Sequence, residues 1–102
     1  MNCSIVNVRS SNLGSRSRWI NPTTVYVYCG RPSRLGNPYV VGRDGDRDTV
    51  IRKCWNDQQW LMTVQEFINW LRTTNAENVI LGCWCAPRRC HTELIARLVR
   101  AM

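Results

Sequence analysis

Val79-Ile80-Leu81-Gly82-Cys83 is a run without a polar side chain, too short to be a helix and closed by a glycine and a cysteine. A strand buried on both faces reads this way, because a sheet covered by helices has no wet side for alternate residues to meet. Asn75 and Asn78 bracket a turn in front of it. Behind it, beyond a loop, Thr92 to Met102 places Leu94, Ile95, Leu98 and Val99 on one side and Arg97 and Arg100 on the other, which predicts a C-terminal amphipathic helix.

Working back from the run, Thr63 with Glu66 three residues later predicts a helix start of the capping-box kind, followed by the stripe Val64, Phe67, Ile68 and Leu71. An earlier helix is expected from Asp48 as its cap, with Val50, Ile51, Cys54 and Trp55 on one face. Gly30 to Gly42 is a shaped loop, with a brief extended piece at Tyr39–Val41. Thr24 to Cys29 is β-branched and aromatic, a second strand. Ser10 to Pro22 reads as a polar loop with Arg16 and Arg18, and Cys3 to Arg9 alternates as a half-buried strand does.

The order strand, strand, helix, helix, strand, helix requires crossover connections. It predicts one α/β domain over residues 1–102, Rossmann-like in two or three layers, with a mainly parallel sheet of three or four strands. Such sheets collect ligands at the carboxyl ends of their strands. Two loops leave from there, GRPSRLGNP (30–38) and CWCAPRRCH (83–91). If the two strands are neighbours, these loops face each other across one crevice.

Composition limits the partners. The chain carries a formal charge of +7 from thirteen arginines and a single lysine, Lys53, against seven acidic residues. Arginine's planar fork matches phosphate and carboxylate in two-point fashion, so a phosphate-bearing partner is expected, with a solvated basic surface as the plain alternative. No apolar run approaches the ~20 residues of a membrane helix. The opening MNCSIVNVRSS has no charged start followed by an apolar block, so no secretion signal and a cytoplasmic location are expected. In a reducing compartment, the six cysteines are expected as thiols or metal ligands rather than disulfides.

In the first loop, Gly30 and Gly36 allow close ligand approach, Arg31 and Arg34 offer forks for an anion, and Ser33 and Asn37 offer hydrogen bonds. Pro32 and Pro38 stiffen it. An ordinary rigid turn with surface arginines is the competing account. The second loop concentrates chemistry: Cys83, Cys85, Cys90 and the only histidine, His91, with Trp84, Arg88 and Arg89 between them. Pro87 ends the strand, and the positive end of the last helix beside the two arginines would lower a thiol pKa.

Three readings stand side by side. Zinc would suit sulfur and imidazole from some of Cys83, Cys85, Cys90 and His91, although the spacing is not paired Cys-x-x-Cys and a ligating Cys next to a ligating His is awkward. A catalytic thiolate would use His91 as base or acid. Cys83 and Arg89 even have the spacing of a phosphatase loop, against which Trp84 and Pro87 argue. Buried thiols packing as small apolar groups, with His91 capping a helix, need no chemistry. Cys54, Trp19, Trp55, Trp60 and Trp70 read as packing, Cys29 as core or crevice lining, and Trp84 as a pocket wall.

With these stretches identified, the chain resembles the bacterial and phage family known as domain of unknown function 4326. Members read as a strand containing V-N, then Y-x-G-R-x-S-x-x-G-N-P-[FY], a helical middle, and L-x-C-x-C-x-P-x-x-C-H before a last helix. The matching stretches here are Val6-Asn7, YCGRPSRLGNPY (Tyr28–Tyr39) and LGCWCAPRRCH (Leu81–His91). Leu35 departs from the family, where a large aromatic is common, which changes the expected pocket shape. The resemblance implies that both loops form one family-wide site and implies no reaction. The ending is also similar to that of domain of unknown function 488. By analogy, phage membership implies nucleotide metabolism, DNA modification or counter-defence.

The expected function is therefore binding, with processing left open, of a phosphate-bearing small molecule such as a nucleotide or nucleotide-sugar in the crevice. The alternatives are a basic nucleic-acid-binding module of phage or bacterial origin, or a zinc-stabilised interaction protein without catalysis.

Overall fold

The apolar run becomes a central strand. A computed structural model describes all 102 residues. Its elements are β1 (Asn2–Asn7), α1 (Val8–Ser11), β2 (Arg18–Asn21), β3 (Thr24–Tyr28), α2 (Arg47–Trp55), α3 (Gln58–Leu71), β4 (Asn78–Cys83) and α4 (Thr92–Arg100). The sheet order is β1-β4-β3-β2. β4 runs parallel to both neighbours, setting Ile5 and Val27 opposite Leu81, and only β2 is antiparallel, to β3. This is a small mixed α/β domain with a mostly parallel four-stranded sheet.

Period-two geometry divides β3 between two faces. Val25, Val27 and Cys29 join Val79 and Leu81 against α2, α3 and α4 in the main core. Tyr26 and Tyr28 point the other way, into a small cluster with Val8 that is covered by α1 and the segment after it. All three long helices lie on one face, so the layers number two. Ile80, on the thinly covered face, is only half buried. Gly82 is required there, because a Cβ would land on the Tyr26 ring and hydroxyl.

Several local expectations are corrected. Ser10–Pro22 is not all loop: it holds the end of α1 and the edge strand β2, whose residues are all exposed and so carry no alternation to read. β1 stops at Asn7, whose side chain accepts from Arg9 N (2.9 Å) and Ser10 N (3.2 Å) to cap α1. α2 is capped by Asp46, not Asp48, through Thr49 N at 2.8 Å. α3 starts at Gln58 under the cap Asp57, which accepts from Trp60 N at 3.0 Å. Thr63 therefore lies inside the helix, donating to Gln59 O, and Glu66 pairs with Arg34 instead of closing a capping box. Tyr39–Val41 is not extended pairing; Val40 N bonds Asp44 Oδ2 in a turn. Leu98 faces water, since α4 buries Ile95, Ala96 and Val99. No helix is long and apolar enough to cross a membrane.

Candidate functional site

Because β3 and β4 are parallel neighbours, they release their chains side by side. Cys29 N still bonds Gly82 O at 2.8 Å beyond the last paired residues. The loop after β3 folds through two tight turns, Ser33 N to Gly30 O and Gly36 N to Ser33 O. A Cβ on Gly36 would come within 3.0 Å of Gly30 backbone, which explains that glycine.

Side chains then sew the two loops together. The Tyr28 hydroxyl donates to Arg31 O (2.7 Å) and accepts from Trp84 Nε1 (2.8 Å). His91 Nε2 lies 2.9 Å from both Cys29 O and Leu35 O. Both partners are acceptors, so Nε2 carries the proton and Nδ1 is the bare acceptor. Asn7 Nδ2 donates to Ala86 O (2.8 Å) and Trp84 O (3.2 Å), tying the second loop to β1. Trp60 Nε1 donates to Leu35 O and Trp55 Nε1 to His91 O, each at 3.0 Å, fixing both loops to the helical layer.

Between the loops lies a cleft of about 440 Å³. Cys83, Cys85, Cys90 and His91 line it from the second loop, and Gly30, Arg31 and Asn37 from the first. A third wall comes from Tyr39 to Val41 and from Arg47, Val50 and Ile51 around the start of α2. Arg31, Arg47 and Arg89 line the cleft, and no Asp or Glu does. Arg89 is engaged outside, with Asp48 at 2.9 Å and Glu93 at 3.6 Å. Arg31 and Arg47 pair with no carboxylate. Arg31 donates to Asn37 O and Tyr39 O, and Arg47 to Arg89 O.

The cysteines form a trio around Cys90. Its sulfur is 3.3 Å from His91 Nδ1, and Cys83 and Cys85 lie close enough for the three thiols to shift one another's acidity. The Cys85 thiol is pulled well below its ordinary 9.0, first by the Cys90 hydrogen bond and then by Arg47 and the charge of Arg31, against the cost of burial. Cys83 is pulled the same way, by Cys90 and by the Ala86 and Cys85 backbone. Cys90 moves upward, because it keeps the proton it shares with the other two. Two adjacent thiolates repel, so the shift belongs to the trio, which gives up its first proton easily. Burial holds His91 neutral, below its ordinary 6.5.

The structure thus brings Gly30, Arg31, Asn37, Cys83, Trp84, Cys85, Arg89, Cys90 and His91 to one cleft. Ser33, Arg34 and Gly36 lie elsewhere, around a second hollow against α3. Ser33 Oγ accepts from Leu35 N within its own turn, and Arg34 reaches out to Glu66, because the turns point these side chains away from β4. Arg88 is exposed and outside the cleft. His91 stands at the N-cap of α4 yet makes no side-chain cap bond. The phosphatase-like pair is not formed: Cys83 is buried and Arg89 faces carboxylates. The zinc tetrad is not assembled either. His91 has both nitrogens engaged, and no three His, Cys, Asp or Glu side chains are arranged to hold a metal ion.

Arg47, Tyr28 and Asn7 were missed. Arg47 is one arginine among thirteen, with nothing local to mark it. Tyr28 and Asn7 had a signal, since both sit inside the motif stretches, where their loop-tying role only needed the sheet order to become visible. Among protein families, the one described as "Domain of unknown function (DUF4326)" matches residues 8–101. Neither the curated proteins nor the solved structures include a match to the chain.

Proposed function

The chain belongs to the family described as domain of unknown function (DUF4326), and from its cleft we propose that it binds a phosphate-bearing small molecule of nucleotide or nucleotide-sugar size. One observation carries this reading: Arg31 and Arg47 line a cleft without a single carboxylate, and neither forms an ion pair with one elsewhere. Guanidinium groups that no carboxylate neutralises, set in a concave site, favour an anion with several oxygens. The remaining surface suits the rest of such a ligand. Val40, Val41, Val50 and Ile51 supply an apolar side, and the half-exposed Trp84 ring offers a stacking face at the rim. A volume of about 440 Å³ lies within the ordinary range for small-molecule pockets.

Thermal denaturation of the reduced protein with nucleoside phosphates and nucleotide-sugars tests it. A ligand at a hundred times its Kd adds about 2.7 kcal/mol, a rise on the order of 10 °C in Tm for a domain of this size. Arg47→Ala should weaken that ligand at least about tenfold, the loss of one charge-assisted hydrogen bond. Arg97→Ala, on the exposed side of α4, should leave it unchanged. Absence of any ligand shift, together with oligonucleotide binding that falls steeply with salt, would replace this reading with nucleic-acid backbone binding.

A further inference from the structure

Three of the six cysteines meet at the cleft, and all six are free thiols. Their positions are unequal. Cys83 and Cys90 are 1% and 2% exposed, whereas Cys85 is half buried and opens into the cleft. Cys90 lines the same cleft beside Cys85, close enough for each thiol to shift the other's acidity. On its other side stands His91 Nδ1 at 3.3 Å, an acceptor without a proton of its own. The Thr92 hydroxyl is fully buried with no partner of its own, next to Cys83 and Cys90, so an anionic sulfur there would satisfy it. Arg47 lines the cleft near Cys85, and its charge favours the thiolate. A surface-facing thiolate, a contacting buried thiol and a base behind that thiol are the parts of a two-step exchange.

We propose that Cys85 and Cys90 are a thiol–disulfide exchange pair whose substrate is a small, negatively charged disulfide. The Cys85 thiolate attacks one substrate sulfur; the substrate S–S bond breaks, and one half leaves as a thiolate that takes a proton from water. Cys85 now carries the other half as a mixed disulfide. Cys90 passes its proton to His91 Nδ1 and attacks the Cys85 sulfur. The Cys85–Cys90 bond forms, and the second half departs with the proton from His91. Two protein thiols lose two electrons and two protons, and one disulfide becomes two thiols. The imidazolium formed in between is held by the Cys29 and Leu35 carbonyls. Cys83 is too deeply buried to attack first. The preference for negative charge rests on the cationic-cleft reading above, with Arg31 and Arg47 drawing the substrate in.

The reduced full chain is incubated at low salt with three disulfides: anionic glutathione disulfide, neutral hydroxyethyl disulfide and cationic cystamine. The bond formed is mapped by peptide mass spectrometry. The expected product is the Cys85–Cys90 disulfide, formed about tenfold or more faster with the anionic disulfide than the cationic one, a preference that Arg47→Ala shrinks. Cys90→Ser should stop at a single mixed disulfide on Cys85, while Cys85→Ser should block reaction at the cleft. His91→Gln should slow the second step and leave the first, so that the mixed disulfide accumulates. A bond mapped to any other pair, or modification confined to Cys3, overturns the exchange pair. Bond formation at Cys85–Cys90 with equal rates for all three disulfides overturns the substrate class, and with it the cationic-cleft reading. A nucleotide that stabilises the protein while Cys85 stays inert overturns the exchange alone.

Discussion

His91 shows how one residue can be given a role by its surroundings. Its ring joins two loops through Cys29 O and Leu35 O and meets Trp60 edge-on at 6.0 Å. Its other nitrogen faces Cys90. Removing the ring would take the donor from Cys29 O, leave Leu35 O with Trp60 Nε1 alone and open a hole in the packing, and His91→Ala is expected to cost about 2–4 kcal/mol in chemical denaturation. The pH dependence follows from burial, which holds the folded pKa below the unfolded 6.5. A depressed folded value means that this stability is present above about 6.5 and is lost as pH falls toward the folded pKa, because the unfolded chain takes up the proton first. Between about pH 7 and about pH 5, wild type should lose more stability than His91→Gln, whose side chain does not titrate. Equal losses would show that the thiol trio alone titrates in this window. None of this was readable at the level of neighbouring residues, where His91 suggested a catalytic base, a zinc ligand or a cap.

At the scale of elements, the amphipathic stripes were legible and the helix ends were not. Val64, Ile68 and Leu71 face the core as their spacing requires. The start of α3 was misjudged because Thr63 and Glu66 imitate a capping box, while the real cap, Asp57, sits before Gln58, a residue with no apolar marker. Asp57 also accepts the Tyr39 hydroxyl at 2.8 Å, which draws the cleft's third wall toward the helix. Asp57→Ala should therefore cost about 1 kcal/mol or somewhat more by urea denaturation, and Thr63→Ala should stay within about 0.5 kcal/mol of wild type. The reverse order would restore Thr63 as the helix start. The edge strand β2 had no pattern to find, since all four of its residues are exposed and it is held by its ladder to β3 and by surface contacts such as Trp19 with Trp70 at 6.1 Å.

Across the whole molecule, the cysteines divide into isolated thiols governed by burial and a mutually coupled trio in the cleft. Burial pushes Cys54 up to about 12 and Cys3 up to about 11, and Cys29 moves in the same direction. In the cleft, Cys83 and Cys85 move down while Cys90 moves up, keeping the proton the three share. For the core thiols the folded pKa lies above the unfolded 9.0. Their contribution is fully present below about pH 9 and is lost as pH rises through about 11 to 12, where the unfolded chain ionises and the fold resists. Thermal melts in that alkaline range should show a falling Tm, partly relieved by Cys54→Ala; a flat profile would mean that these thiols titrate as if solvated.

By itself the sequence determined which segments are apolar on one side, a succession of strands and helices that demands crossovers, and a strong positive charge dominated by arginine. Those properties follow from local spacing and composition. Only the tertiary structure decided that Arg47 belongs to the cleft while Arg34, Ser33 and Arg88 do not, and that His91 clamps carbonyls. The physical reason is direction. Whether a loop side chain points into a cleft or away from it depends on turns and partners brought from distant parts of the chain, and no short-range periodicity records that.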